Sequence, residues 1–374
     1  MNKLIIIGAG ASGVYLSYLI KKAEPSLQVI VLEANKTPLK KLLATGNGRC
    51  NLSNQDLDPS HYETDAKNKV KAIIDDFDMV EEMKKLGLYT KYLGNLLYPR
   101  SEQAKSVMSI LYKRATQVGV VFLFEQKVID IEAGKGYIIK TDKQTFHSDG
   151  LVLAMGTRAG KLSNDFNRLD IVKHLHLKAR PYTQMLVPML TDPLYKSLKG
   201  VRVKGHFTLK KKETVLHEED GEMLFTNYGV SGIAIMQCSR YYQKGVSLHC
   251  DLVPEYSYEE LKDIISHLDT LEGLLPRELC ELIGRKKLDP LKTMKDLTFT
   301  IKGLRDREFA QVEKGGLLMS NFDEHLESYQ YPHLYACGEI LNTTGDCGGY
   351  NLHFAFASAK AIAKGLERSS HVKN

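Results

Sequence analysis

The chain has no tryptophan, and its six cysteines (Cys50, Cys238, Cys250, Cys280, Cys337 and Cys347) are scattered without a Cys-x-x-Cys pair. That spacing excludes a zinc ribbon and a thioredoxin-like redox pair, and it suits reduced thiols. No uninterrupted apolar run approaches the roughly 20 residues of a membrane span. The first apolar segment starts at Leu4 and meets Gly8 at once, so it reads as a strand rather than a secretory leader, and a cytoplasmic location is expected. Charge of one sign is scarce too. The net charge of +6 is spread over short clusters such as Lys210 to Lys212 and Arg285 to Lys287. No aromatic residues are interleaved with those clusters as a base-stacking surface needs, so a nucleic-acid partner is not expected. Internal repeats and low-complexity linkers are also missing. What remains is 374 residues of ordinary globular composition, enough for two or three domains.

What is present begins with KLIIIGAGASGVYLSYLIKKAEPSLQVIVLEA, from Lys3 to Ala34. Lys3 to Ile7 reads as a buried strand, and Gly8, Gly10 and Gly13 fall where the chain turns into a helix beginning near Ala11. In such a turn the first glycine allows the bend, the second lets backbone approach a pyrophosphate, and the third lets helix pack on strand. The free N–H groups of the helix start then face the phosphates. A second apolar run, Gln28 to Leu32, stops at Glu33, 20 residues beyond Gly13. A carboxylate there accepts from both hydroxyls of a ribose and repels a 2′-phosphate. Strand, turn, helix and acid agree, which gives a dinucleotide site rather than a structural glycine turn.

After the loop KTPLKKLLATGNGRCNLSN, helices are predicted from about Asp65 to Gly87 and from Ser101 to Val118. GVVFLFEQKVIDIEAGKGYIIKTDKQTFHSDGLVLAMG reads as a strand, an antiparallel hairpin excursion, and a buried strand Leu151 to Ala154 ending at Gly156. An antiparallel insertion returning to an Ala-x-Gly strand is the habit of FAD-binding domains. From about Tyr182 to Pro254 strands alternate, and from Tyr258 to Lys295 the pattern turns helical and charged. Near Pro332 the first domain resumes. The expected architecture is α/β, with a nucleotide domain split in sequence around a β-rich insert and its helical appendage. The expected segments are 1–157, 158–254, 255–305 and 306–374.

His333 to Cys337 reads as a strand opening onto Gly338 and Glu339, which puts a carboxylate where a nucleotide crevice lies. Glu339 there suits the ribityl chain of a flavin, a group NAD lacks. Gly348 and Gly349 clear space ahead of a helix starting near Tyr350, and a helix N-terminus stabilises negative charge on a reduced flavin's pyrimidine edge.

Four motifs, GAGASG at Gly8, KKLLATGNGRCNLSN at Lys40, GEMLFTNYGVSG at Gly221 and CGEILNTTGDCGGYNL at Cys337, are similar to those of the BaiN-like FAD-dependent oxidoreductases, the aminoacetone-oxidase family. In order and spacing they span nearly the whole chain. The resemblance implies non-covalent FAD on a GR-type Rossmann-like domain split around a β-barrel-like insert and a helical subdomain. It assigns the cofactor to Gly8, Gly10, Ala11, Ser12 and Gly13, to Glu33 and Ala34, and to Lys41, Gly46, Asn47, Arg49, Cys50 and Asn51. Val128, Ala154, Gly156, Gly338, Glu339, Gly349, Tyr350 and Asn351 complete that set. The chain departs from the family pattern in the run Thr157 to Phe166, at Asn227, Asn342 and His353, and in VEKGGLLM. These departures cluster on the expected substrate side.

Hydride transfer asks the protein to place a substrate carbon against the flavin and to handle one proton. Candidate proton handlers are Tyr350, His353 and Cys347, with Ser231 from the insert. GVSGI around Ser231 is not the Gly-x-Ser-x-Gly elbow, which excludes a serine hydrolase of that kind. No second glycine-rich turn follows a strand, so NAD(P)H as a transient donor docks without its own Rossmann domain. Two reactions fit: NAD(P)H-linked reduction of an unsaturated small molecule, or oxidation of an amine-like donor. An NAD-linked dehydrogenase, a tRNA-modifying flavoprotein and a non-catalytic redox sensor are the alternatives, and the oligomeric state is not encoded in any motif.

Overall fold

The computed structural model describes residues 1–163 and 166–371, so Asn164 and Asp165 of the Thr157 to Phe166 run lie outside the described residues. Its central sheet has five strands: β1 (Lys3–Ile7), β2 (Gln28–Leu32), β3 (Val121–Leu123), β4 (Gly150–Leu153) and β5 (Leu334–Ala336). They lie in the order β5-β4-β1-β2-β3, and every pair is parallel. This is the doubly wound arrangement, whose ligands bind beyond the carboxyl ends of the strands where the order reverses, here between β1 and β4. Leu4 to Ile7 and Leu151 to Leu153 are buried on both faces, which is why these strands are runs of branched apolar residues rather than alternations.

The helix Ala11–Ala23 and the C-terminal helix Tyr350–His371 pack on each other, Tyr15 meeting Phe356 edge-to-face at 5.2 Å. Phe356 is fully buried, which contributes about 2–3 kcal/mol. The antiparallel excursion before β4 is a three-stranded sheet, Val128–Ala133, Tyr137–Thr141 and Thr145–Ser148. The helix expected over Asp65 to Gly87 is two, Lys67–Asp75 and Met79–Leu86. The second has its own cap, since Asp78 accepts from the N–H of Val80 at 2.9 Å and of Glu81 at 3.1 Å.

The chain divides into two compact units, Met1–Thr183 with Val312–Asn374, and Gln184–Gln311. The insert was expected to start at residue 158; the segment from there to Thr183 belongs instead to the first unit. It is held there because the Arg158 N–H and guanidinium donate to Glu313 at 2.7 and 3.2 Å, and strand Ala179–Met185 pairs with Val312–Leu317. The helical stretch expected at 255–305 as an appendage of the insert lies in the same unit as the β-rich part. Six strands, Met189–Asp192, Gly229–Ser231, Thr214–Phe225, Arg202–Lys211, Ser247–Asp251 and Leu297–Leu304, close into a barrel. The last strand alternates buried and exposed residues and closes the barrel against the first. Phe207, Phe225 and Phe299 fill this unit's core.

Candidate functional site

The turn after β1 is built by space. Gly8 sits at φ +108°, and a Cβ there would lie 2.4 Å from the Ala154 carbonyl oxygen. A Cβ on Gly13 would lie 2.0 Å from the Gly8 oxygen, so the helix touches the turn. Gly10 differs: nothing lies within 4 Å of its Cβ position. Its open face is therefore not explained by packing within the protein. The helix starting at Ala11 has no side-chain cap at Gly10, so its first N–H groups are left for an acceptor.

Glu33 follows β2, with one carboxylate oxygen accepting from the Ala9 N–H at 2.8 Å and the other from the Asn35 backbone and side chain at 2.8 and 2.6 Å. These bonds fix the carboxylate and take three of its four lone-pair sites, so one is left, on the oxygen that accepts from Ala9, for a ribose hydroxyl, rather than the two expected from the sequence. Beyond it an open depression of about 480 Å³ is lined by Ala34, Asn35, Lys36, Thr37, Lys40 and Asp142, among others. Val128 pairs with Thr141, the neighbour of Asp142.

The other half arrives from the far end of the chain. β5 delivers Gly338 against the first helix, where its Cβ would lie 2.7 Å from Ser12 Oγ. Glu339 accepts from Lys41 Nζ at 2.7 Å, Lys41 also donates to Thr157 Oγ1 at 3.2 Å, and the Cβ position of Gly156 lies 3.5 Å from the same Glu339 oxygen. Ala154 hydrogen-bonds back to Ile7. The turn, Lys41, the end of β4 and Glu339 thus form one cluster at the carboxyl ends of β1 and β4.

The glycine-rich loop reaches the same region. Gly46 and Asn47 both have φ +55°, Cys50 is fully buried, and Arg49 pairs with Glu102 at 2.6 Å while lying over Tyr98. Asn51 Oδ1 is buried without a hydrogen-bond partner, 2.8 Å from where a Gly349 Cβ would be. Gly349 itself could carry no side chain, since its Cβ would lie 2.5 Å from the Ser53 carbonyl. Uncapped N–H groups above an open Gly10, a fixed acid at the ribose position and an orphaned Asn51 acceptor fit a flavin dinucleotide. Bound there, FAD would be held by Gly10 to Gly13, Glu33, Asn51 and Glu339.

The proton-handling candidates separate. His353 is 1 % exposed, its Nδ1 is 2.8 Å from Ser53 Oγ, and its ring meets Phe77 edge-on. Burial pushes its pKa down to about 4, so it is a neutral core residue with no surface for a substrate. Tyr350 is nearly buried, its hydroxyl pushed up to about 12 by burial, and it stacks on His61 at 4.6 Å. Cys347 is half-buried and unbridged. Ser231 lies in the barrel unit, in strand Gly229–Ser231. Asn351 spends its side chain on the loop, exchanging hydrogen bonds with Gly345 N–H and C=O, both at 2.8 Å.

Several residues of this site carried no sequence signal. His61 bridges Asp346 and Asp56, each at 3.0 Å, and so ties the Gly345 to Gly349 loop to a distant segment. Thr157 accepts from Lys41, and the next residue, Arg158, pairs with Glu313. VEKGGLLM, noted above only as a departure, supplies the buried Glu313.

Fold and site together define a Rossmann-type FAD-binding protein, and comparison with known proteins agrees. The HI0933-like protein Rossmann domain model matches residues 2–365, so the chain belongs to that family of flavin-dependent oxidoreductases. It is 31 % identical to the 3-dehydro-bile acid delta(4,6)-reductase of Clostridium scindens, over 96 % of this chain and 97 % of the relative. It is 28 % identical to the ribosomal RNA dihydrouridine synthase of Escherichia coli, over 97 % of each. Among solved structures, the 3-ketosteroid delta1-dehydrogenase of Sterolibacterium denitrificans has a TM-score of 0.53 at 13 % identity, with 99 % of this chain and 100 % of that one covered. Quinol fumarate reductase FrdA of E. coli has a TM-score of 0.53 at 12 % identity, covering 100 % of this chain and 72 % of that one. These two likenesses concern the fold. Among the described residues no helix is long and apolar enough to cross a membrane, and no cluster of His, Cys, Asp and Glu suits a metal.

Proposed function

We propose that this protein is an FAD-dependent reductase that adds two hydrogens across a carbon–carbon double bond conjugated to a carbonyl, with NAD(P)H as the electron donor and a small molecule as substrate. The observation that carries the flavin part is the meeting of Glu339 and Gly338 with Lys41 and Ser12, residues some three hundred positions apart. The alkene part is supported by two relatives whose names both describe such a reduction, a delta(4,6)-reductase and a dihydrouridine synthase. FAD held by Gly10 to Gly13, Glu33, Asn51 and Glu339 would supply the two-electron hydride chemistry that links a nicotinamide donor to an electrophilic carbon. The chain's own residues hold and orient. Glu33 fixes the ribose, the helix start neutralises the diphosphate, and Lys41 holds Glu339 in place.

Anaerobic titration tests the reading. NADH or NADPH should bleach the flavin, and a steroidal enone should restore its colour with loss of the double bond. Recovery with oxygen alone, or bleaching by an amine instead, would overturn it.

One observation favours a second reading, reduction of uracil in RNA. The hairpin Thr90–Leu93 with Leu96–Pro99 exposes Tyr92 (44 %), and Tyr89 (67 %) just precedes it, with Arg100 at its other end. This is an aromatic and basic surface that the sequence clusters lacked. Binding of a uridine-rich oligonucleotide that weakens with salt, and weakens again on Tyr89→Ala with Tyr92→Ala, is its test.

A further inference from the structure

The barrel unit carries a side-chain cluster that the flavin reading leaves unused. On strand Ser247–Asp251, Leu248 and Cys250 are fully buried in the barrel, so Ser247 and His249 stand on its outward face, two residues apart. Ser247 Oγ is 2.9 Å from His249 Nε2, and His249 Nδ1 is 2.7 Å from Asp296 Oδ1. The frame is set by backbone. His249 is paired with Thr208 on one neighbouring strand and with Thr298 on the other, and Ser247 with Lys210 and Thr300. Asp296 joins the short helix Pro290–Lys295 to strand Leu297–Leu304. Its N–H donates to Lys292 at 2.8 Å, and its carboxylate also accepts from Thr298 Oγ1 at 3.1 Å. The preceding residue, Lys295, is tied to Asp251 at 2.5 Å and donates to the Tyr256 carbonyl at 2.7 Å.

The order of these contacts fixes their chemistry. A carboxylate only accepts, so the neutral ring facing Asp296 carries its proton on Nδ1, and Nε2 presents a lone pair to the serine hydroxyl. Nucleophile, base and orienting acid stand in sequence within hydrogen-bond reach, a constellation recognised by geometry and roles rather than by chain order. His249 is a quarter exposed and Ser247 half-buried, so the cluster is reachable from solvent. Lys210 and Thr300 share the face of Ser247 from the two adjoining strands, which adds a cation and a hydroxyl where an attacked carbonyl oxygen gains charge.

We propose that Ser247, His249 and Asp296 form a second catalytic site, a serine esterase centre for short acyl groups on good leaving groups such as phenols. Ser247 Oγ attacks the acyl carbon as His249 Nε2 takes its proton; the bond to the leaving oxygen breaks, and that oxygen receives the proton. Water then attacks the acyl-serine through the same nitrogen, releasing the acid and restoring the hydroxyl, with no change of oxidation state. Asp296 acts through His249 and is a positioning residue. Esters fit rather than amides, because strand Ser247–Asp251 is paired on both sides and spares no set of backbone N–H groups for the oxyanion. Thr298 and Thr300 are exposed, and so open a face suits a short acyl chain. The inference is independent of the flavin reading.

The test gives the FAD-loaded full chain p-nitrophenyl acetate and, separately, diisopropyl fluorophosphate followed by peptide mapping. The unaltered protein should hydrolyse the ester and carry the phosphoryl label on Ser247. Ser247→Ala should abolish both, and His249→Gln should slow hydrolysis about 100-fold. Asp296→Asn should lower kcat about tenfold or more with KM unchanged, a split that a merely structural acid would not give. Flavin content and melting temperature should match those of the unaltered protein in all three variants. No hydrolysis and no label in the unaltered protein, a label on another residue, or hydrolysis indifferent to Ser247→Ala or to His249→Gln would each overturn the proposal.

Discussion

Single residues at this site do different work, and two of them can be told apart by titration and ligand release. Glu33 is held by three protein N–H groups, so it is already oriented before any sugar arrives. Glu33→Arg removes an acceptor and adds a repelled cation, and should weaken FAD retention by about 1.5–3 kcal/mol, roughly 10–100-fold, measured by the flavin released on dilution. His353 makes its contribution in the core. Its folded pKa of about 4 lies below the ordinary value of 6.5, so the unfolded chain takes up a proton that the native chain refuses. Its neutral form is fully compatible with folding above pH 6.5, and stability falls as pH drops from there toward 4, by about 3 kcal/mol in all. His353→Gln should flatten that part of the denaturation-midpoint profile, while leaving flavin content unchanged. The buried thiols make a third case. Burial raises Cys50 and Cys337 to about 12, so a thiolate-directed alkylating reagent should leave both unmodified in the native protein and label both after denaturation.

At the scale of elements, the parts legible in the sequence were those fixed by neighbours along the chain. β1, the turn, the first helix and β2 fall where Lys3 to Leu32 placed them, because period, glycines and acid are local signals. The hairpin excursion and the start of the last helix at Tyr350 were equally local. What could not be read was long-range. Nothing near Arg158 announces Glu313, nothing near His61 announces Asp346, and Asp78 as a cap inside an apparently continuous helix is outweighed by the apolar period around it. The turn also offers a test that separates folding from binding. Gly13→Ala puts a methyl on the Gly8 carbonyl and should cost about 1–3 kcal/mol or more of stability with or without cofactor. Gly10→Ala meets no protein atom, so the flavin-free protein should melt as before while FAD binds about tenfold more weakly.

For the molecule as a whole, β1 from the start of the sequence and β5 from near its end lie in the same sheet, and the barrel unit is spliced between β4 and β5. The nucleotide fold cannot be completed until residues beyond 312 have arrived, because β5 and the last helix carry Glu339, the Gly349 cradle and the packing surface for Tyr15. Net charge follows the same division, since the barrel unit is balanced and the excess of +6 lies in the nucleotide-binding unit. The central claim is that the two ends of the chain grip one flavin dinucleotide. It is tested most directly by the flavin stoichiometry of the purified protein and of a Gly338→Val variant, whose side chain would enter the space of Ser12 Oγ. The account predicts one FAD per unaltered chain, and a folded variant with intact barrel-unit melting that has lost most of it. A colourless unaltered protein that accepts no added FAD, or a variant that keeps its full complement, would contradict it.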